Sequence, residues 1–213
     1  VYKSKGMVSP VATCGLGTVG IRIPSHEGAQ AFLKAVDVPV AAPSANVSKH
    51  TSPVTARHVL EDLGGKIPLI LDGGKCTGGI ESTVLDVTTD TPVILRSGLV
   101  TADMIRKVAG KCRYSENKPT DEIRAPGMKY RHYAPKADLS IVEGPEEEVV
   151  ALINRLTAQG EASGLKVGII ATDETRDYYT AGDVRSIGSR EEEETIAHHL
   201  YEVLRNFDSD EVN

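Results

Sequence analysis

In "GTVGIRIP" (17–24), Val19, Ile21 and Ile23 fall on one side of an extended chain while Gly20 and Arg22 fall on the other. That alternation predicts a half-buried strand. "SHEGAQAFLKAV" follows with Ala29, Phe32, Leu33 and Val36 at helical spacing and Ser25 as its N-cap. "VPVAAP" (38–43) reads as a short buried strand. "SPVTARHVLEDLGG" reads as a helix capped by Ser52, with Pro53 at its first position and Gly64 or Gly65 at its end. "IPLILDGG" (67–74), "STVLDV" (82–87) and "PVILRSG" (92–98) are further strands bounded by Gly or Pro, and "TADMIRKVAG" is a helix from a Thr101 cap to Gly110. The irregular mixture predicts an α/β (α+β) fold with a mixed, twisted sheet and helices over residues 1–112.

Residues 113–136 change character. The stretch is polar, contains several prolines and follows neither period, so it reads as a linker. Beyond it, "DLSIVEG" (strand), "PEEEVVALINRLTAQG" (helix), "LKVGIIATDE" (strand) and "SREEEETIAHHLYEVLRNFD" (helix) alternate cleanly. Residues 137–213 are therefore expected to form a small Rossmann-like parallel βα domain with right-handed crossovers. The acidic run Glu191–Glu194 belongs in the first turn of the last helix, where the macrodipole favours carboxylates. His198 and His199 read as a solvated or partly buried face of that helix.

Composition narrows the function classes. Aromatics make up only 4% of the chain and Trp is absent, so the core is built from Val, Ile, Leu and Ala. The formal charge of −6 argues against a protein that wraps nucleic acid, which would be basic. Cys14, Cys76 and Cys112 are far apart and form no C-x-x-C pair, against both a disulfide framework and a zinc site. A reducing, cytoplasmic compartment is expected. No run approaches the ~18 apolar residues of a membrane span and no signal peptide is present. Both chain ends read as cut rather than native.

The segment from Pro43 to Pro53 is crowded with short hydrogen-bonding side chains: Ser44, Asn46, Ser48, Thr51 and Ser52. They lie just before a helix start, where unpaired N–H groups and a partial positive charge suit phosphate. A plain Ser/Asn-rich turn with an N-cap explains part of the same pattern. Arg22 and Arg96 sit on or at the end of apolar strands, placed for surface ion pairs or for two-pronged contact with a carboxylate or phosphate. The glycines of "GGKCTGGIESTVLDV" can bring backbone close to a ligand ahead of Ser82, but the Walker order is absent. No nucleophilic triad can be nominated, and the histidines show no metal-ligand spacing.

Taken together, "APSANVSKHTSPVTARHVLEDLGGKIPLILDGG", "GIESTVLDV", "PVILRSG" and "APGMKYRHYAPKA" resemble, in order and spacing, the two-domain form of the threonylcarbamoyl-AMP synthases. The resemblance is close over residues 17–137, within the YrdC-type catalytic domain and the segment that follows, and looser in the smaller second domain. It implies a nucleotidyltransferase that condenses L-threonine, bicarbonate or CO₂, and ATP into threonylcarbamoyl-adenylate and pyrophosphate. The product would serve modification of adenosine 37 of certain tRNAs by a downstream transferase complex. Carried over by resemblance, Arg22, Ser82 and the backbone at Ala42 hold threonine. Thr18, Ser44, Ser52, Arg96 and Tyr133 bind ATP, with Mg²⁺ held mainly by the phosphates and no protein ligand nominated. By resemblance Tyr133 reaches back from the linker over the nucleotide; the Lys, Arg, His and Tyr content of "APGMKYRHYAPKA", with Gly127 as a hinge, reads as a lid with Tyr133 as its contact or as a tether that docks the second domain. The resemblance also implies that this chain lacks the N-terminal part of the catalytic domain and by itself does not complete the reaction.

Two other readings stay open at this level. One is a non-catalytic module that touches tRNA or double-stranded RNA weakly through Lys49, His50, Arg57, Lys129, Arg131 and His132. The other is a carbamoyl-transfer domain of hydrogenase maturation, against which stands the absence of zinc-finger cysteines.

Overall fold

The computed structural model describes residues 1–6, 8–48, 50–116 and 135–213. Within these, the chain divides into two compact units, one of residues 1–43 and 81–116, the other of residues 44–80 and 135–213.

The first unit is built on β4 (Val93–Arg96), whose Val93, Ile94 and Leu95 are all buried. A strand buried on both faces needs cover on both. Ile94 packs with Leu85, Ala102, Ile105 and Cys112, while Val93 and Leu95 pack with Val84 and Val1. β3 (Val84–Asp86) pairs antiparallel with β4, and β5 (Arg113–Tyr114) pairs parallel with it, giving the mixed sheet expected. β1 (Tyr2–Lys3) pairs antiparallel with β2 (Thr18–Val19), and the Val87 amide donates to the Val1 carbonyl, so the entry to β1 lies along β3. Helix α3 (Ala102–Ala109) starts where its sequence indicates: the Thr101 hydroxyl accepts from the Met104 amide at 3.3 Å, and Gly110 closes it with φ 75°. Helix α1 (Glu27–Val36) is capped one residue later than expected, by His26 Nδ1 accepting from the Ala29 amide rather than by Ser25.

In the second unit, α2 (Ala56–Leu63) is capped by Thr55, whose hydroxyl accepts from the His58 amide. Ser52 and Pro53 therefore precede the helix instead of starting it, because Val54, 2% exposed, is turned into a core with Tyr201 and Leu204. Helix α4 (Glu146–Ala162), β6 (Gly168–Ala171) and α5 (Glu193–Ser209) form as the periodicity indicates. Only Glu193 and Glu194 of the acidic run reach the first turn of α5. β6 pairs in parallel with β7 (Asp183–Ser186), a strand the polar sequence "DVRS" conceals. β7 is held from its sides, where Arg185 pairs with Asp183 and Asp210 and lies 4.4 Å over the Phe207 ring.

Strands expected at 38–43, 67–74 and 138–144 do not form among the described residues, and that of 17–24 shrinks to β2. The alternation is present, but its apolar side meets solvent: Ile23 is 82% exposed, Leu71 70% and Ile141 82%. A strand needs a neighbour's N–H and C=O groups and cover for one face. Neither is supplied to these segments by the described residues.

His58 is buried on α2, where its Nδ1 accepts from the Val54 amide at 3.3 Å. Burial, reinforced by the Arg205 charge, lowers its pKa below the ordinary histidine value. The unfolded chain therefore takes up a proton near pH 6.5 that the folded one refuses. Stability is expected to fall as pH drops from 7 to 5.5, and thermal melts of a His58→Asn variant should show a shallower decline. An equal decline in both proteins would contradict the assignment.

Candidate functional site

The first unit brings together two residues that lie far apart in sequence. The β3–β4 register sets Val84 opposite Arg96, with an irregularity between Val84 and Leu85. That pairing brings the "EST" segment (81–83), which leads into β3, beside the end of β4. Half-buried Arg96 then donates from Nε (3.2 Å) and Nη2 (2.8 Å) to the Ser82 carbonyl, which fixes the backbone of Ser82 and leaves its side chain on the surface. The Thr83 hydroxyl donates to the Val100 carbonyl at 2.7 Å and accepts from the Val100 amide at 3.1 Å. Gly98 permits this closure, since a Cβ there would overlap the Glu81 carbonyl oxygen and the Thr83 amide. Arg96 thus organises Ser82 as well as presenting a guanidinium, a connection that spacing alone does not reveal.

The remaining candidates of this unit are placed singly. Thr18 lies half-buried on β2 opposite Lys3. Arg22 and Ala42 are exposed, on chain that belongs to no helix or strand.

In the second unit Ser44 is exposed and Ser52 half-buried, at the two ends of a loop. The Asn46 side-chain amide donates to the carbonyls of Val47 (2.8 Å) and His50 (3.2 Å), and the Val47 amide donates to Asp62 Oδ2 at 3.2 Å. Asp62, near the end of α2, forms a buried pair with Arg205 of α5 at 2.7 Å. Arg205 also donates to the carbonyls of Thr51 (2.6 Å) and Ser52 (3.4 Å). Burial works against a charge on Asp62, but hydrogen bonds from Arg205 and the Val47 amide outweigh it and hold the carboxyl below its ordinary range. The glycine-rich loop also rests on α5. A Cβ on Gly79 would overlap the backbone of Ala197 and His198, His198 Nδ1 lies 3.0 Å from the Thr77 carbonyl, and Lys75 pairs with Glu202. At Gly79 the close approach is to a helix.

Asp62 and Arg205 are the residues that sequence reasoning missed. The available signal was a cation on a core stripe, since Arg205 follows Tyr201 and Leu204 at helical spacing. Tyr133 lies outside the described residues, as do Lys49, Lys129, Arg131 and His132. Of the other side chains that could face RNA, His50 Nδ1 lies 3.9 Å from Asp62 Oδ1, and Arg57 pairs with Glu61 at 2.8 Å. Among the described residues, no group of three or more His, Cys, Asp or Glu side chains is placed to hold a metal ion, and no helix is long and apolar enough to cross a membrane.

A family model described as "Telomere recombination" matches residues 1–98, and one described as "Threonylcarbamoyl-AMP synthase, C-terminal domain" matches residues 100–213. The threonylcarbamoyl-AMP synthase of Pyrococcus abyssi is 43% identical over 211 residues, which cover 98% of this chain and 60% of that protein. That of Bacillus subtilis is 42% identical over 208 residues, covering 97% and 59%. The crystal structure of P. abyssi Sua5 complexed with L-threonine superposes with a TM-score of 0.86 at 42% identity, over 96% of this chain and 59% of that one. A structure of a P. abyssi Sua5 variant superposes with a TM-score of 0.89 at 41% identity, over 99% and 60%. The chain spans about three fifths of the length of these relatives and shares their mixed α/β fold. Since the second family model runs through the whole of residues 100–213, the chain belongs to the threonylcarbamoyl-AMP synthase family.

Proposed function

We propose that the protein carrying this chain is a cytoplasmic threonylcarbamoyl-AMP synthase. The threonine amine adds to CO₂, drawn from bicarbonate, and loses a proton to give a carbamate. A carbamate oxygen then attacks the α-phosphorus of ATP, and pyrophosphate leaves. The product supplies a downstream transferase complex with the threonylcarbamoyl group for adenosine 37 of tRNA. The observation that carries this reading is the likeness, over nearly the whole chain, to the P. abyssi structure with L-threonine bound.

In this reading residues 1–112 belong to the YrdC-type catalytic domain and residues 137–213 form the smaller second domain. Arg22, Ser82 and the Ala42 backbone take threonine, while Thr18, Ser44, Ser52, Arg96 and Tyr133 take ATP. Both reacting groups come from the substrates, so the protein needs no nucleophile of its own. Its part is to position them and to stabilise charge that develops on the phosphate oxygens. Neutral hydroxyl donors on the Ser44–Ser52 loop suit a polyphosphate, adding hydrogen bonds without adding charge. ATP ordinarily brings Mg²⁺, which the phosphates would hold for the most part.

In the intact protein, pyrophosphate release is expected only with threonine, bicarbonate and ATP all present. Release that is indifferent to threonine would reject the reading. Arg22→Ala is expected to weaken threonine alone. Arg96→Ala should weaken ATP and, because Arg96 anchors Ser82, threonine as well. Loss of a charged hydrogen-bond partner costs ~1.5–3 kcal/mol, or roughly tenfold to over a hundredfold in affinity. Titration calorimetry with each ligand separates these outcomes, and an Arg96→Ala protein that binds threonine normally would show that the Ser82 anchor carries no weight.

A further inference from the structure

Among the described residues between Ser44 and Thr55, the candidate phosphate loop has no helix or strand of its own. Its shape is set from beneath. The Val47 amide is tied to Asp62, and the carbonyls of Thr51 and Ser52 are tied to Arg205. Arg205 bonds Asp62 with both of its terminal nitrogens, Nη1 at 3.3 Å and Nη2 at 2.7 Å. One guanidinium therefore fixes the far end of the loop directly and, through a single carboxylate, its middle. Thr51 is 1% exposed and Arg205 8%, so this anchorage is shielded from water. Val54, Tyr201 and Leu204 pack beside it.

We propose that Arg205 is a positioning residue for the nucleotide: it holds the Ser44–Ser52 loop in the shape that receives phosphate, without touching the phosphate itself. The proposal rests on the reading of Ser44 and Ser52 as phosphate donors. Arg205 is paired with a carboxylate and points into the protein, so it draws no anion to the loop. It acts by removing conformational freedom before the ligand arrives, which lowers the cost of binding. The anchor comes from α5, within residues 100–213, and the loop it holds lies within residues 1–98. The part of the chain matched by the C-terminal family model thus contributes to nucleotide affinity through one side chain.

The test is made in the intact protein, by equilibrium titration with ATP and separately with L-threonine, well below the melting temperature of each variant. Arg205→Met would leave Asp62 buried without its partner, a strongly destabilising change, so conservative variants are used. Arg205→Lys keeps the charge but cannot make the forked contact, and Asp62→Asn keeps an oxygen acceptor for the Val47 amide. In Arg205→Lys and in Asp62→Asn, ATP affinity is expected to fall about tenfold, the loss of roughly one charged hydrogen bond. Threonine affinity should stay within about twofold of the parent, a change too small to count as a lost hydrogen bond. Folded Arg205→Lys and Asp62→Asn proteins with unchanged ATP affinity would overturn the proposal. So would equal losses for both ligands, which mark general loosening. Ser44→Ala and Ser52→Ala tell the two failures apart. If they weaken ATP and the anchor variants do not, only the positioning role fails. If they leave ATP unchanged, the phosphate-loop reading fails and the positioning role with it.

Discussion

The second unit depends on a charge pair placed where charge is costly. Asp62 and Arg205 are both nearly excluded from water, and neither is tolerable there alone. The pair is stable because further hydrogen bonds complete it: the Val47 amide on the carboxylate, and the Thr51 and Ser52 carbonyls on the guanidinium. Those partners are all loop backbone. The loop therefore acquires a definite shape because its peptide groups are needed to finish a buried ionic network. The apolar contacts of Val54 with Tyr201 and Leu204 exclude the water that would otherwise compete.

The first unit solves a similar problem with a neutral acceptor. The Arg96 guanidinium is held against the Ser82 carbonyl, and Gly98 gives the backbone room to close. In both units an arginine reaches a backbone carbonyl beside a candidate binding serine, from a strand end in one and from a helix in the other. The forked, planar guanidinium suits that task, since it can grip an acceptor with two donors where an ammonium would make a point contact. For a reaction whose reacting atoms all belong to substrates, as proposed here, such anchorage is the protein's principal contribution.

Much of this architecture could be read from residue order. Thr101 and Gly110 bound α3, and the apolar stripe of α5 is plain from Leu200, Val203, Leu204 and Phe207. The apolar run of β4 marks a strand covered on both faces. The strand errors share one physical cause. Periodicity reports what a segment can do with its own side chains, whereas a strand also needs a neighbour. Ile21 and Ile23 alternate correctly yet remain uncovered, and "DVRS" shows no apolar alternation yet pairs with β6. The same limit applied at the site. Hydroxyl density marked the Ser44–Ser52 loop, but nothing local to it indicates that its anchor lies 153 residues away on α5. Arg205 was visible only as a cation at a core position of a helix.

In this account α5 shapes the Ser44–Ser52 loop through Arg205. Native-state hydrogen exchange at the Val47 amide, compared between the parent and Arg205→Lys with the β6–β7 amides as an internal reference, tests it most directly. The account predicts that Val47 loses protection in the variant while the β6–β7 amides keep theirs. Unchanged protection at Val47, or an equal loss at every site, would contradict it.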